Sequence, residues 1–260
     1  MKIGIFGAGH MGSAMIKGWI KSGVVAPPDI IVQGGKRGTA RELQQSLHFT
    51  LTNNVADFKA VDIIFLAVGT PAILPILKDL HEELDGLTIP IISVSAGVSV
   101  KEMQEITGQT YPIAQAIPNT PVQINQGMTG IVYPELISEE HQSTMNHSLT
   151  ILGELMEITE DKIGIFGTLA GCGPAFVDVF MESLADGAVL NGMDRDMAYH
   201  VAAKMVSSAA NLLLETGKHP GELKDGVTSP GGTTIKGVTA LEKEGFRYAT
   251  INAIDTIMKS

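Results

Sequence analysis

One cysteine, Cys172, serves a chain of 260 residues. That excludes an intramolecular disulfide and any cysteine-cluster metal site within one chain, and it makes the cytoplasm the expected location. Cations are also scarce: 18 Lys and Arg stand against 28 Asp and Glu, a formal net charge of -10. Without a basic run to neutralise phosphates, nucleic acid is not an expected partner. No membrane segment is expected either. The apolar stretch at residues 1–6 runs straight into glycines, too short for a signal-peptide core or a span, and later apolar stretches are mixed with charge and read as core. The histidines are scattered and form no spaced set with carboxylates, so no metal is expected. What the chain does have is 44 % hydrophobic residues, enough core for one large or two modest domains.

Residues 3–157 alternate short apolar runs with amphipathic segments, the pattern of a parallel sheet wound with helices. Strands are predicted at 2–6, 30–33, 49–51, 63–68 and 89–94, then near 112–116, 128–132 and 155–158. Helices are predicted to begin near Gly9, Gly38, Val55, Pro71 and Val100, and Ser138 reads as the N-cap of a helix to Leu152. After Asp161 strand signals stop. Segments 174–190 and 194–216 read as long helices with apolar stripes (Phe176, Val179, Phe180, Leu184; Met197, Val201, Met205, Leu212), and two more helices follow a glycine turn and Gly245. Ala198, Ala202, Ala203, Ala209 and Ala210 widen one face, which suits either a second copy or the domain's own helices. The expected fold class is α/β: a Rossmann dinucleotide-binding domain over 1–160 and an all-helical domain over 161–260.

Two glycine turns carry the chemistry. Gly7-Ala8-Gly9-His10-Met11-Gly12 follows the first strand and opens a helix, the G-x-G-x-x-G context in which a pyrophosphate meets a helix N-terminus. An NAD site would place a carboxylate at the end of the second strand, but that strand ends Val32-Gln33-Gly34-Gly35 and Lys36-Arg37 follow. This pattern favours the 2'-phosphate of NADP(H), with Arg37 or Lys36 as charge partner; the alternative is a solvated basic pair. The second turn, Ser229-Pro230-Gly231-Gly232-Thr233-Thr234, also opens a helix. The amides of Gly232, Thr233 and Thr234 are expected to lack intrahelical acceptors there, and such a turn suits a carboxylate. A cofactor site and a small-anion site in one chain suggest a reductase.

With these strings stand Phe65-Leu66-Ala67-Val68, Ser95-Ala96-Gly97-Val98, Pro118-Asn119-Thr120-Pro121, Gly171-Cys172-Gly173-Pro174-Ala175-Phe176 and a long run from Glu215 to Ile235. Together they make the chain resemble pyrroline-5-carboxylate reductase, end to end. The resemblance implies reduction of the cyclic imine 1-pyrroline-5-carboxylate to L-proline, NADPH as donor with NADH possible, and a helical domain that interleaves with a second subunit, giving a homo-oligomer with the dimer as its minimal unit. It places Gly7, Gly9, His10, Met11 and Gly12 under the pyrophosphate, Asn54 near the adenosine ribose, Ala67 and Val68 along the cofactor, and Ala96 and Gly97 at the nicotinamide. It puts Asn119 and Pro121 in the active-site cleft and Ser229, Gly231, Gly232, Thr233 and Thr234 on the substrate. The amides of Gly232 and Thr233 would take the carboxylate, and the Thr234 hydroxyl the ring nitrogen. Three positions depart from the family pattern: Gly69-Thr70-Pro71 stands where many members have Lys, Gln115 where an Arg is common, and Cys172 where a Ser is common.

A protonated imine is already activated, so such an enzyme can work by positioning and needs no strong acid. Thr234, a poor acid, fits that role as an orienting catalytic residue. Two other readings compete. A two-domain 3-hydroxy acid dehydrogenase would use a catalytic Lys in the helical domain, where Lys204 and Lys236 sit in no such motif. The other is a nucleotide-binding regulatory paralogue without turnover.

Overall fold

The computed structural model describes residues 1–35, 38–84 and 86–259 and divides into two compact units, Met1–Gly171 and Cys172–Ser260. In the first unit the elements run β1 (Ile3–Phe6), α1 (His10–Ser22), β2 (Ile30–Gln33), α2 (Thr39–Leu47), β3 (Thr50–Thr52), β4 (Ile63–Leu66), α3 (Thr70–Glu83), β5 (Ile91–Ser93) and α4 (Val100–Thr107). They continue as β6 (Ile113–Pro118), β7 (Gly127–Val132), α5 (Glu139–Thr150), β8 (Gly153–Glu157) and α6 (Ile163–Phe166). The strands form one eight-stranded sheet in the order β3-β2-β1-β4-β5-β6-β7-β8.

Both faces of this sheet are covered, which explains the nearly continuous apolar strands. Side chains alternate between two cores. Ile3, Ile5, Ile63 and Phe65 join Met15, Ile16 and Trp19 of α1 and Leu149 of α5 on one side. Phe6, Ile64 and Leu66 join Ile73, Leu77 and Leu80 of α3 and Met103 of α4 on the other. The buried indole N–H of Trp19 donates to the Ser148 carbonyl at 2.8 Å, tying α1 to α5. A Cβ on Gly4 would lie 2.5 Å from the Phe58 ring, which stacks on Phe6 at 4.2 Å.

The structure corrects the sequence reading at several points. The sheet is not wholly parallel, because β7 runs antiparallel to β6. The link at 119–126 is too short for the crossover of about a dozen residues that parallel strands need. It is a 3-10 turn, Thr120–Ile124, closed by Asn125 at φ 60°, whose amide donates to Gly18 and Ile151 carbonyls. The helix expected at Val55 is a 3-10 turn, Val55–Ala60, started by the Asn54 side chain accepting from the Ala56 amide. Ser138 caps α5 as expected.

The second unit is helical: α7 (Gly173–Leu190), α8 (Arg195–Thr216), α9 (Pro220–Gly226), α10 (Thr233–Lys243) and α11 (Phe246–Met258). A π-helical segment, Gly167–Cys172, runs directly into α7. Asp194 caps α8 by accepting from the Asp196 and Met197 amides. The short α9 escaped the sequence reading because Gly221 and Gly226 sit within it; it is started by Pro220 and by His219 Nδ1, which accepts from the Gly221 amide. Helices α7 and α8 pack together, and the buried hydrophobics of this unit are small: Ala185, Ala198 and Ala202. Most of its large side chains are open instead. Val179 is 62 % exposed, Leu214 72 % and Ile251 66 %, so of the two coverings the sequence left open, the domain's own helices leave much of this apolar surface uncovered.

Two tyrosines of the first unit give a pH prediction. Burial pushes Tyr111 up to about 12, and its hydroxyl donates to the Ile89 carbonyl at 3.0 Å. Burial, then the nearby Glu157 charge, pushes Tyr133 up to about 12 as well. Both keep their protons in the fold at a pH where the unfolded chain, with tyrosines near 10, has lost them. The stability they support is therefore complete below pH 10 and is lost as pH rises toward 12. Denaturant melts across this range should show that loss, and replacing both tyrosines with Phe should flatten it.

Candidate functional site

The first set of expected residues gathers at the carboxyl ends of β1 and β4, where the strand order changes direction from β1-β2-β3 to β1-β4-β5. In open α/β sheets this switch point is where a crevice forms. Gly7 leaves β1 at φ 97°, its N–H on the Gln33 carbonyl at 2.8 Å. A Cβ there would meet the Ala67 carbonyl oxygen at 2.3 Å, and one on Gly12 would meet the Gly7 oxygen at 2.2 Å. Gly9 is different: a Cβ would find nothing within 4 Å. Two glycines thus close the turn against β4, and the middle one leaves open space over the helix start. Gly9 is the N-cap of α1 and supplies no side-chain bond. The first helical bond from the turn is Ser13 N–H to Gly9 oxygen at 2.9 Å, and the amides of His10, Met11 and Gly12 have no backbone acceptor among the described residues, the arrangement that suits an anion at a helix start. His10 is exposed and Met11 half-buried.

Ala67 and Val68 are half-buried in the link from β4 to α3. Beside them stands the loop after β5, with Ala96 and Gly97 exposed. The Thr70 and Ser95 hydroxyls lie 3.1 Å apart, and the Gly97 amide donates to Ser95 Oγ at 3.3 Å. A Cβ on Gly97 would sit 2.6 Å from Thr70 Oγ1, so the two loops touch. Asn54, on the far side near β3, is held as the cap of its 3-10 turn and is exposed. Lys36 and Arg37 lie outside the described residues. Asn119 is buried with both ends of its amide engaged: Oδ1 accepts from the Met128 amide at 2.8 Å and Nδ2 donates to the Ala170 carbonyl at 3.1 Å. It braces the turn that carries Pro121.

In the helical unit, Ser229 to Gly232 form a tight turn with Pro230 second, Gly231 third at φ 69°, and the Gly232 amide on the Ser229 carbonyl at 3.0 Å. This is the pattern of a type II turn. It corrects one expectation, since the Gly232 amide already has an acceptor. The amides of Thr233 and Thr234, at the start of α10, have none among the described residues and are exposed. A Cβ on Gly232 would lie 2.4 Å from Ser229 Oγ, so substitution there strains the turn itself.

The hydroxyl contacts of Thr70 and Ser95 were not foreseen. The sequence marked position 70 only as part of a missing lysine; no spacing shows that two loops meet.

A family model described as pyrroline-5-carboxylate reductase dimerisation matches residues 160–260, and one described as NADP oxidoreductase coenzyme F420-dependent matches residues 2–97. Pyrroline-5-carboxylate reductase of Methanosarcina acetivorans is 36 % identical over 254 residues, covering 97 % of this chain and 94 % of that protein. The chain belongs to the pyrroline-5-carboxylate reductase family. The family member of Escherichia coli is 37 % identical over 259 residues, 99 % of this chain and 96 % of that protein. Among solved structures, the Plasmodium falciparum pyrroline carboxylate reductase with NADP bound superimposes with a TM-score of 0.86 at 26 % identity, covering 100 % of this chain and 96 % of that one. The Streptococcus pyogenes family member gives 0.85 at 32 %, covering 100 % and 97 %. Synechocystis arogenate dehydrogenase reaches 0.53 at 13 % identity, with 95 % of this chain and 100 % of that one covered, and shares the fold alone.

The family's glycine turn makes a graded prediction. Gly12→Ala should lower stability by about 1–3 kcal/mol through overpacking against the Gly7 carbonyl. Gly9→Ala, at an ordinary φ of -74° and with open space, should leave it nearly unchanged. Urea melts of both variants check this; equal losses would mean that the turn is not closed by the outer glycines.

Proposed function

We propose that this protein reduces 1-pyrroline-5-carboxylate to L-proline, with NADPH as the preferred donor and NADH the weaker one. The observation that carries this reading is the end-to-end likeness to reductases of that name at 36–37 % identity. The geometry supports it: an anion cradle with a bare Gly9 stands at the switch point of one unit, and a preset turn with free amides stands in the other.

In this reading the cofactor supplies the hydride when bound. Gly7, Gly9, His10, Met11 and Gly12 take its pyrophosphate, Asn54 lies by the adenosine ribose, Lys36 and Arg37 take the 2'-phosphate, Ala67 and Val68 flank its length, and Ala96 and Gly97 border the nicotinamide. Asn119 acts as a brace that sets Pro121 in the cleft. The substrate carboxylate goes to the Thr233 and Thr234 amides, with Ser229, Gly231 and Gly232 shaping the turn. The Thr234 hydroxyl orients the ring nitrogen, and solvent or the protonated imine supplies the proton that balances hydride transfer.

The cofactor unit is read as 1–160 and the substrate and dimerisation unit as 161–260, with the dimer as minimal active unit, in the cytoplasm. The helical run Glu160–Leu190 is long and apolar enough to cross a membrane by length and composition. It also carries exposed Asp178, Glu182 and Asp186, which lipid would disfavour, and it lies within the matched dimerisation region, so its apolar face is assigned to a second copy.

The test is NADPH oxidation with the cyclic imine, followed at 340 nm. The wild type should turn over, and Thr234→Ala should lose roughly tenfold or more in kcat, the equivalent of about 1.4 kcal/mol of transition-state stabilisation. Folded wild type without turnover would remove the assignment. Arg37→Ala should weaken NADPH binding by about 1–3 kcal/mol more than NADH binding, measured by fluorescence titration. Equal losses would make Lys36 and Arg37 a surface pair.

A further inference from the structure

Gln115 lies in mid-sheet on β6, opposite Ser93 on β5 and Val132 on β7, and is 1 % exposed. Its amide nitrogen donates both hydrogens, one to the Ser95 carbonyl at 2.7 Å and one to the Val98 carbonyl at 2.9 Å. Because both neighbours are acceptors, the nitrogen end of the amide must face them. The oxygen end, Oε1, is buried and has no hydrogen-bond partner among the described residues, as is true of the Ser93 hydroxyl beside it. A buried glutamine with an idle acceptor is a poor way to fill a core, where an apolar side chain of the same shape leaves nothing unpaired. Its donors are what the position uses. They hold the two ends of the four-residue loop Ser95–Val98, whose middle residues Ala96 and Gly97 are exposed, with Gly97 close against Thr70. Val98 is also buried in the core with Val100 and Met103, but Gln115 supplies the hydrogen bonds from the sheet interior; among the described residues the loop's other side-chain hydrogen bonds are the contacts among Thr70, Ser95 and Gly97.

We propose that Gln115 is a positioning residue for hydride transfer: it clamps the Ser95–Val98 loop from inside the sheet and so fixes Ala96 and Gly97 against the nicotinamide end of the cofactor. The inference rests on the reading above that places those two residues there. The position calls for N–H donors and no acceptor, so an Arg side chain satisfies it and a hydrophobic isostere does not.

The experiment compares Gln115→Met and Gln115→Arg with the wild type. For Gln115→Met, kcat/KM should fall about tenfold or more, since small misplacement of reacting groups carries penalties of that order or larger. NADPH affinity should fall with it. Affinity for adenosine 2',5'-bisphosphate, which lacks the nicotinamide, should not change, and amide hydrogen exchange should quicken at Ala96–Val98 and not in β5 or β6. Gln115→Arg should recover most of the lost turnover. Parallel loss of the adenosine fragment would show a general structural role and overturn the clamp, as would unchanged kcat/KM in Gln115→Met. Should Gln115→Met fail to fold, Gln115→Arg alone decides: a loss of more than about tenfold in kcat/KM overturns the proposal. A wild type that binds no NADPH overturns the functional reading and the clamp together, whereas normal wild-type turnover with an unaffected Gln115→Met overturns the clamp alone.

Discussion

The structure hangs on the absence of a side chain at the point where β1 turns into α1. Gly7 brings its backbone against the Ala67 carbonyl, and Gly12 brings the first turn of α1 against the Gly7 carbonyl, at distances no Cβ tolerates. This close approach sets where α1 begins, and Trp19 then fixes the helix to α5 through a single buried hydrogen bond. It also aligns the ends of β1 and β4 so that both following loops open on one side of the sheet. A helix start with free amides is stable there only because the packing beneath it is tight enough to hold it without its own cap.

The helical unit follows a different logic. Its buried hydrophobics are alanines, which allow α7 and α8 to approach closely but remove little apolar area from water. Large side chains at Val179, Leu214, Tyr248 and Ile251 remain open. A homo-oligomer resolves that imbalance, in keeping with the dimerisation model that matches this region. Where helices of this kind make an obligate oligomer there is often no stable folded monomer, and stability then depends on protein concentration.

Much of this was legible in the sequence because the governing constraints are local. Alternation of Ile and Phe in β1 and β4, the glycine spacing at 7, 9 and 12, and the cap at Ser138 depend on neighbours a few residues apart. Near-complete likeness to one family added the substrate. What could not be read depends on chain reversal and on distant partners. The antiparallel β7 follows from a short 3-10 turn whose Asn125 finds acceptors on α1 and after α5. The free amide expected of Gly232 was lost to a turn bond that only the φ of Gly231 makes possible. Gln115 looked like a missing arginine, and its pair of carbonyl partners lies 17 and 20 residues away.

The Ser229–Gly232 turn has a thermodynamic consequence. Proline narrows one residue of the unfolded chain to a single φ well, and the bond from the Gly232 amide to the Ser229 carbonyl closes the turn without any outside partner. The entropy of arranging the donors at Thr233 and Thr234 is therefore lost when the chain folds, and an arriving anion loses little more than its own freedom. Capture at such a preset surface proceeds at the rate of encounter, with selectivity expressed mainly in how quickly an ill-fitting anion leaves.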